Sequence, residues 1–293
     1  MSTALIDTAT MDFETMARLT GQKTESNGPN LPRLTINRED QDNDKNEIPM
    51  GTYAVKTDKG VIYSKKATFR PFLNTFQYMV YDAEAANPRG GKGAFTNKTV
   101  LFQDFKDEAP DENGGIRCGK IQGKAAKENM SEKTKLAQKN IMCYRNMYGL
   151  LTMTGTTATG EEVTVTEMPV LWRTRGSAFM PISDALEGLN KRGKLMILSE
   201  FKLTTERRKN GGTIYYVPVL DVDALKSAPF TAEHNGILTN FSEVVAAENK
   251  SVMEKHKAAV KAKSGAAQDE ADLKVINSSL EDDFADELPE DFQ

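Results

Sequence analysis

The chain has 293 residues, 39% of them hydrophobic, and a formal net charge of −4; that length suits one large or two small domains with some of it left in polar ends. No apolar run approaches the roughly 18 residues that a membrane-spanning helix needs, and a secretory leader, basic then apolar, is not expected at the start. Two cysteines and two histidines (Cys118, Cys143, His234 and His256) give neither a disulfide framework nor zinc-ligand spacing, so no metal or cofactor is expected and the thiols suit a reducing cytoplasm.

The net charge conceals a segregation. Residues 1–44 carry 4 Lys/Arg against 8 Asp/Glu, residues 45–227 carry 28 against 20, and residues 275–293 carry none against 7. A basic body between acidic ends is the layout of a protein whose body binds a polyanion.

In chain order, residues 1–49 read as a flexible arm. It contains a short amphipathic helix at 11–20, with Phe13, Met16 and Ala17 on one face and Gly21 as its stop, followed by a polar linker with Pro29, Pro32 and Pro49. The body spans 50–227. A strand at 52–57 turns at Asp58-Lys59-Gly60 into an extended run at 61–73 and another at 75–81. Alternation in the first run puts Lys66, Thr68, Arg70 and Phe72 on one side, and Tyr63, Ala67, Phe69 and Leu73 on the other, the core side. Pro71 marks a bulge or an edge. Residues 87–93 read as a basic loop and 99–105 as a strand. The spacing G-x-x-x-x-G-K at 114–120 is not a phosphate-binding loop, because Ile121 stands where a magnesium-binding hydroxyl is required and a polar loop precedes it.

A lysine-decorated helix is expected at 124–140. Strands at 144–152 and 163–172 follow, then a short helix capped by Ser183 that buries Ala185, Leu186 and Leu189. The runs 194–205 and 213–220 pair as a hairpin through Asn210-Gly211. Residues 228–263 read as a helical segment and 264–293 as a disordered acidic tail. The fold class expected is mainly β with helical insertions, an α+β chain built on an OB-like barrel.

Two features carry function. Aromatic residues and cations alternate on the strands, the pattern that suits an unpaired nucleic-acid strand, with cations for phosphates and rings for bases. The candidates are Lys65, Lys66, Arg70, Phe72, Tyr144, Trp172, Arg173, Arg175, Lys202, Arg207, Arg208, Lys209 and Tyr215. Trp172, the only tryptophan, has a second reading as a plug of the barrel, and surface salt bridges are the alternative for each cation. The other feature is the tail, where Asp282, Asp283, Asp286, Glu287, Glu290 and Asp291 surround Phe284, Leu288 and Phe292, apolar residues spaced four apart. A pure solubility tail does not need such residues, whereas a peptide read by partner proteins uses them as anchors; a disordered, solvating end is the alternative.

With this tail and a basic, strand-rich body, the chain resembles the single-stranded DNA-binding proteins of tailed bacteriophages, of the helix-destabilising, OB-fold type. That resemblance implies a tail, with Phe292 near its end, that recruits replication and recombination proteins and competes with DNA for the body. Gln293 follows Phe292 here, and the zinc ligands of one branch of that family are missing. The function expected is sequence-independent binding of single-stranded DNA without catalysis, in the host cytoplasm and off the membrane, with self-association left open. An RNA-binding or strand-annealing protein, a virion or scaffolding protein, and a two-metal nuclease are the alternatives.

Overall fold

A computed structural model describes residues 31–265 apart from 39, 44–45, 88–89 and 124–129, with backbone alone at 41–43, 46–47 and 222–226. The helix expected at 11–20 and the acidic tail lie outside the described residues. The elements are β1 (Arg33–Ile36), β2 (Gln41–Asn43), β3 (Asn46–Ile48), β4 (Tyr53–Thr57), β5 (Gly60–Ser64), β6 (Ala67–Ala86), β7 (Lys92–Lys98), α1 (Glu132–Lys139), β8 (Ile141–Thr157), β9 (Glu162–Thr174), α2 (Phe179–Lys191), β10 (Ser199–Asn210), β11 (Thr213–Ser227) and α3 (Ala232–Gly265).

The chain is mainly β. Apart from the β2–β3 pair, the strands form one mixed sheet in the order β11-β10-β6-β8-β5-β4-β1-β9, with β7 added beside β6 and β9 returning to β8. The sheet therefore closes partly in a ring through β8, β5, β4, β1 and β9. The closing contacts are short: Ile62 and Tyr63 face Thr157 and Thr156 across β5–β8, and Arg33 and Leu34 meet Leu171 and Trp172 across the parallel β1–β9 contact. Residues 33–36, expected as linker, are thus a strand of this ring.

One extra residue in β6 decides which side chains face inward. Pro71 pairs with Gly149 and Leu73 with Tyr148, so Phe72 is the inserted residue of a bulge. A single insertion flips the side-chain parity of everything beyond it. Ala67 and Phe69 face the inner core before the bulge, and Phe76 and Tyr78 line its continuation after it, while Phe72 and Leu73 join a cluster on the outer face. Pro71 predicted the bulge; Leu73, expected beside Phe69, lies on the opposite face.

The inner core holds Leu34, Tyr53, Ile62, Phe69, Met147, Leu151 and Trp172, closed over by Ile182, Ala185 and Leu189 of α2. Trp172 is 1% exposed and meets Phe69 and Tyr53 edge to face, at 5.4 and 6.2 Å between centroids. Its role is packing, as the second reading had it, and not stacking on a base. The outer face is not left to solvent: α3 lies on it, and Phe241 packs with Phe72, Tyr148, Leu150 and Leu171. Thr231 and His234 start that helix with a reciprocal cap. The Thr231 hydroxyl oxygen accepts from the His234 backbone N–H, and His234 Nδ1 accepts from the Thr231 N–H at 3.1 Å, the logic of a capping box with an imidazole in place of a carboxylate.

Three further elements differ from expectation. The strand expected at 99–105 contributes only isolated bridges, such as Phe76 with Phe102, and the ladder is made instead by β7, read from sequence as partly loop. α2 begins four residues before Ser183, after a 3-10 turn at Gly176–Ala178, so Ser183 is not its cap. The hairpin is joined by Gly211 and Gly212, with Asn210 opposite Thr213; Gly211 has φ +57°, which glycine adopts without strain. Among the described residues, no helix is long and apolar enough to cross a membrane.

Candidate nucleic-acid interface

Of the thirteen body residues singled out by sequence, the structure brings three together. Tyr144 lies on the outer face of β8, and Arg173 and Arg175, at and just past the end of β9, lie over its ring at 5.9 and 5.6 Å from the centroid. β9 runs antiparallel to β8 with Arg173 opposite Asn146, and the Arg173 Nε–H donates to Asn146 Oδ1 at 2.7 Å. Burial, and then the neighbouring charge of Arg33, lower the Arg173 pKa, so these cations crowd one another.

The ring cluster continues onto β7 and β6 through residues that sequence reasoning passed over. Phe95 meets Tyr144 edge to face at 5.9 Å, and Tyr81 meets Phe95 at 5.6 Å. Phe95 is 47% exposed and Tyr81 42%. Tyr81 reaches across the hairpin because Gly93 has no side chain: a Cβ there would stand 2.2 Å from the tyrosine oxygen. The result is a strip of two exposed rings and one buried ring, with Arg173, Arg175 and Arg33 beside it. Among the described residues, no carboxylate lies within salt-bridge distance of these three arginines. The strip runs alongside α3, whose Glu248 accepts from Lys98 Nζ at 2.7 Å and Gln77 Nε2 at 3.2 Å.

The remaining candidates separate. Lys65 and Lys66 are exposed at the start of β6, and exposed Lys202 stands opposite Thr68, two residues from Lys66. Arg207, Arg208 and Lys209 are exposed near the hairpin end, where Arg208 faces half-buried Tyr215 and pairs with Glu206 at 3.0 Å. That hairpin leans on the ring: Tyr216 packs on Gly51, and Tyr53 Oη donates to the Thr204 carbonyl at 2.9 Å.

Three rings and one cation do not face solvent. Trp172 is in the inner core. Phe72 packs edge to face against Phe241 and His234 beneath α3. Tyr144 is buried, so it seats the arginines and does not itself present a face to a base. Arg70 is a bracket: its Nε–H donates to the Ile197 carbonyl at 2.8 Å and its Nη2 to the Pro229 carbonyl at 2.9 Å, tying β6 to the start of α3. Alternation correctly put Arg70 and Phe72 on the side away from the inner core, but α3 covers that side. The tail residues Asp282, Asp283, Phe284, Asp286, Glu287, Leu288, Glu290, Asp291 and Phe292 lie outside the described residues.

Comparison of the chain with protein-family models, with curated proteins and with solved structures finds no match.

Proposed function

We propose that the chain binds single-stranded nucleic acid, DNA in the first place, without sequence preference and without catalysing a reaction. The observation that carries this is the adjacency of two exposed rings, Tyr81 and Phe95, to three arginines that have no described carboxylate within salt-bridge distance. Any base offers a π-face to a ring, and phosphates attract the cations, so such a strip holds an unpaired strand while ignoring its sequence. A duplex hides its bases and satisfies only the cations.

On this reading the partly closed ring of β8, β5, β4, β1 and β9 is an elaborated OB-type barrel, which lends one flank to a strand. Lys65, Lys66 and Lys202, with Arg207 to Lys209, add phosphate contacts further along the path. The acidic tail recruits partner proteins and competes with the strand for the body, and the setting is phage replication and recombination, as the resemblance implies. The direct test is binding of a fluorescein-labelled oligothymidylate to the full chain, read by anisotropy. Binding weakened by Phe95→Ala supports the strip, and binding unaffected by that change removes it.

A further inference from the structure

Arg145 follows Tyr144 on β8 and points to the opposite face. Its guanidinium lies between two phenylalanine rings, 4.8 Å from the centroid of Phe76 and 4.6 Å from that of Phe179, and the residue is 4% exposed. Among the described residues no carboxylate pairs with it, and its Nε has no hydrogen-bond partner. Burial lowers its pKa to about 10, so it is still charged at neutral pH. The nearby Cys143 thiol does not neutralise it, because burial pushes that group up to about 12. A buried charge of this kind is costly without a counter-charge, and two ring faces offset only part of the cost.

Arg145 also lines an open cavity of about 450 Å³ beside α2. Two other wall residues, Asn74 and Ser183, take hydrogen bonds from it on their oxygens, at 3.3 and 2.5 Å. Their own N–H2 and O–H remain as donors, and the Asn190 amide adds another. Leu195 and Met196 form an apolar part of the wall. The carboxylate on the wall, Glu187, is already held by Lys191 at 2.6 Å.

We propose that this cavity binds a small organic anion, an oxyanion head seated on Arg145 and Ser183 with an apolar body against Leu195 and Met196. The site is separate from the ring and arginine strip, which lies on the other face of β8, so either can fail without the other. The head is a carboxylate or a phosphate ester, and two probes separate these sources.

Thermal melting of the full chain in sodium hexanoate or hexyl phosphate, against sodium chloride at equal ionic strength, tests it. The Tm is expected to rise by about 5–10 °C at a hundredfold excess over Kd with at least one probe, and Arg145→Met abolishes the rise. Should that variant not fold, Ser183→Val, which fills the space before the guanidinium, gives the same reading. No rise with either probe, or the same rise in Ser183→Val, overturns the proposal.

Discussion

Arg173 lies over the ring of Tyr144, 5.9 Å from its centroid, while its Nε–H donates to Asn146 at 2.7 Å. The guanidinium is thus aimed by a hydrogen bond to the neighbouring strand and not by a paired carboxylate, and on the proposed function it is left to meet a phosphate. Tyr144 is occupied by arginines, so on the proposed function stacking falls to exposed Phe95 beside it and Tyr81 beyond.

Phe95→Ala and Tyr81→Ala are each expected to weaken single-strand binding by about 5- to 150-fold, the equivalent of one lost stacked base. Both rings are already about half in water, so Tm should move little. Anisotropy and thermal melting on the same samples check both. A fall in Tm with unchanged affinity would make these rings structural.

Trp172→Ala is expected to cost about 3–5 kcal/mol of stability, as large-to-small changes in a closed core do. Below its melting temperature, the variant should bind DNA as the parent does, and the parent's Trp172 fluorescence should not be quenched by DNA. Strong quenching on binding would put this ring at the interface after all.

Glu248 ties α3 to the sheet beside Arg173. Burial acts to raise its pKa, but Lys98, with Gln77 and Arg173, outweighs burial and holds it below the ordinary 4.5. An acid with a depressed native pKa contributes stability above the unfolded pKa and loses it as pH falls through the native one. Urea unfolding should therefore show stability falling from about pH 4.5 downward, less steeply in Glu248→Gln. Equal slopes would mean that the network contributes nothing.

Deleting residues 279–293 should tighten DNA binding at low salt and have little effect at high salt. The motive is charge: the last 19 residues carry seven carboxylates and no cation, against a basic body, and salt screens their competition. Equal affinity with and without the tail at low salt would rule that competition out.

Much of the strand pattern was legible in the sequence because local chemistry specifies it. Glycine at the turn placed the β10–β11 hairpin, Asp58-Lys59-Gly60 placed β4 and β5, and Pro71 marked the bulge. The misplaced site residues have two causes. A sheet covered on both faces makes alternation uninformative about solvent, so Arg70 and Phe72 looked outward because nothing local placed the helix expected at 228–263 over them. β7 is almost entirely polar, and a strand with one large apolar residue reads as loop, which hid Phe95. Tyr81 closed a predicted strand, but nothing local marked it as half exposed.

The most direct test is the salt dependence of binding to single-stranded and duplex oligonucleotides of equal length, for the parent and for Arg173→Gln/Arg175→Gln. The expected result is tighter binding of the single strand at every salt concentration, with log Kd linear in log salt and a slope shallower by about 0.7 for each arginine removed that contacts a phosphate. Equal affinity for both forms, or a slope that the double substitution leaves unchanged, would contradict the ring and arginine strip as the seat of binding.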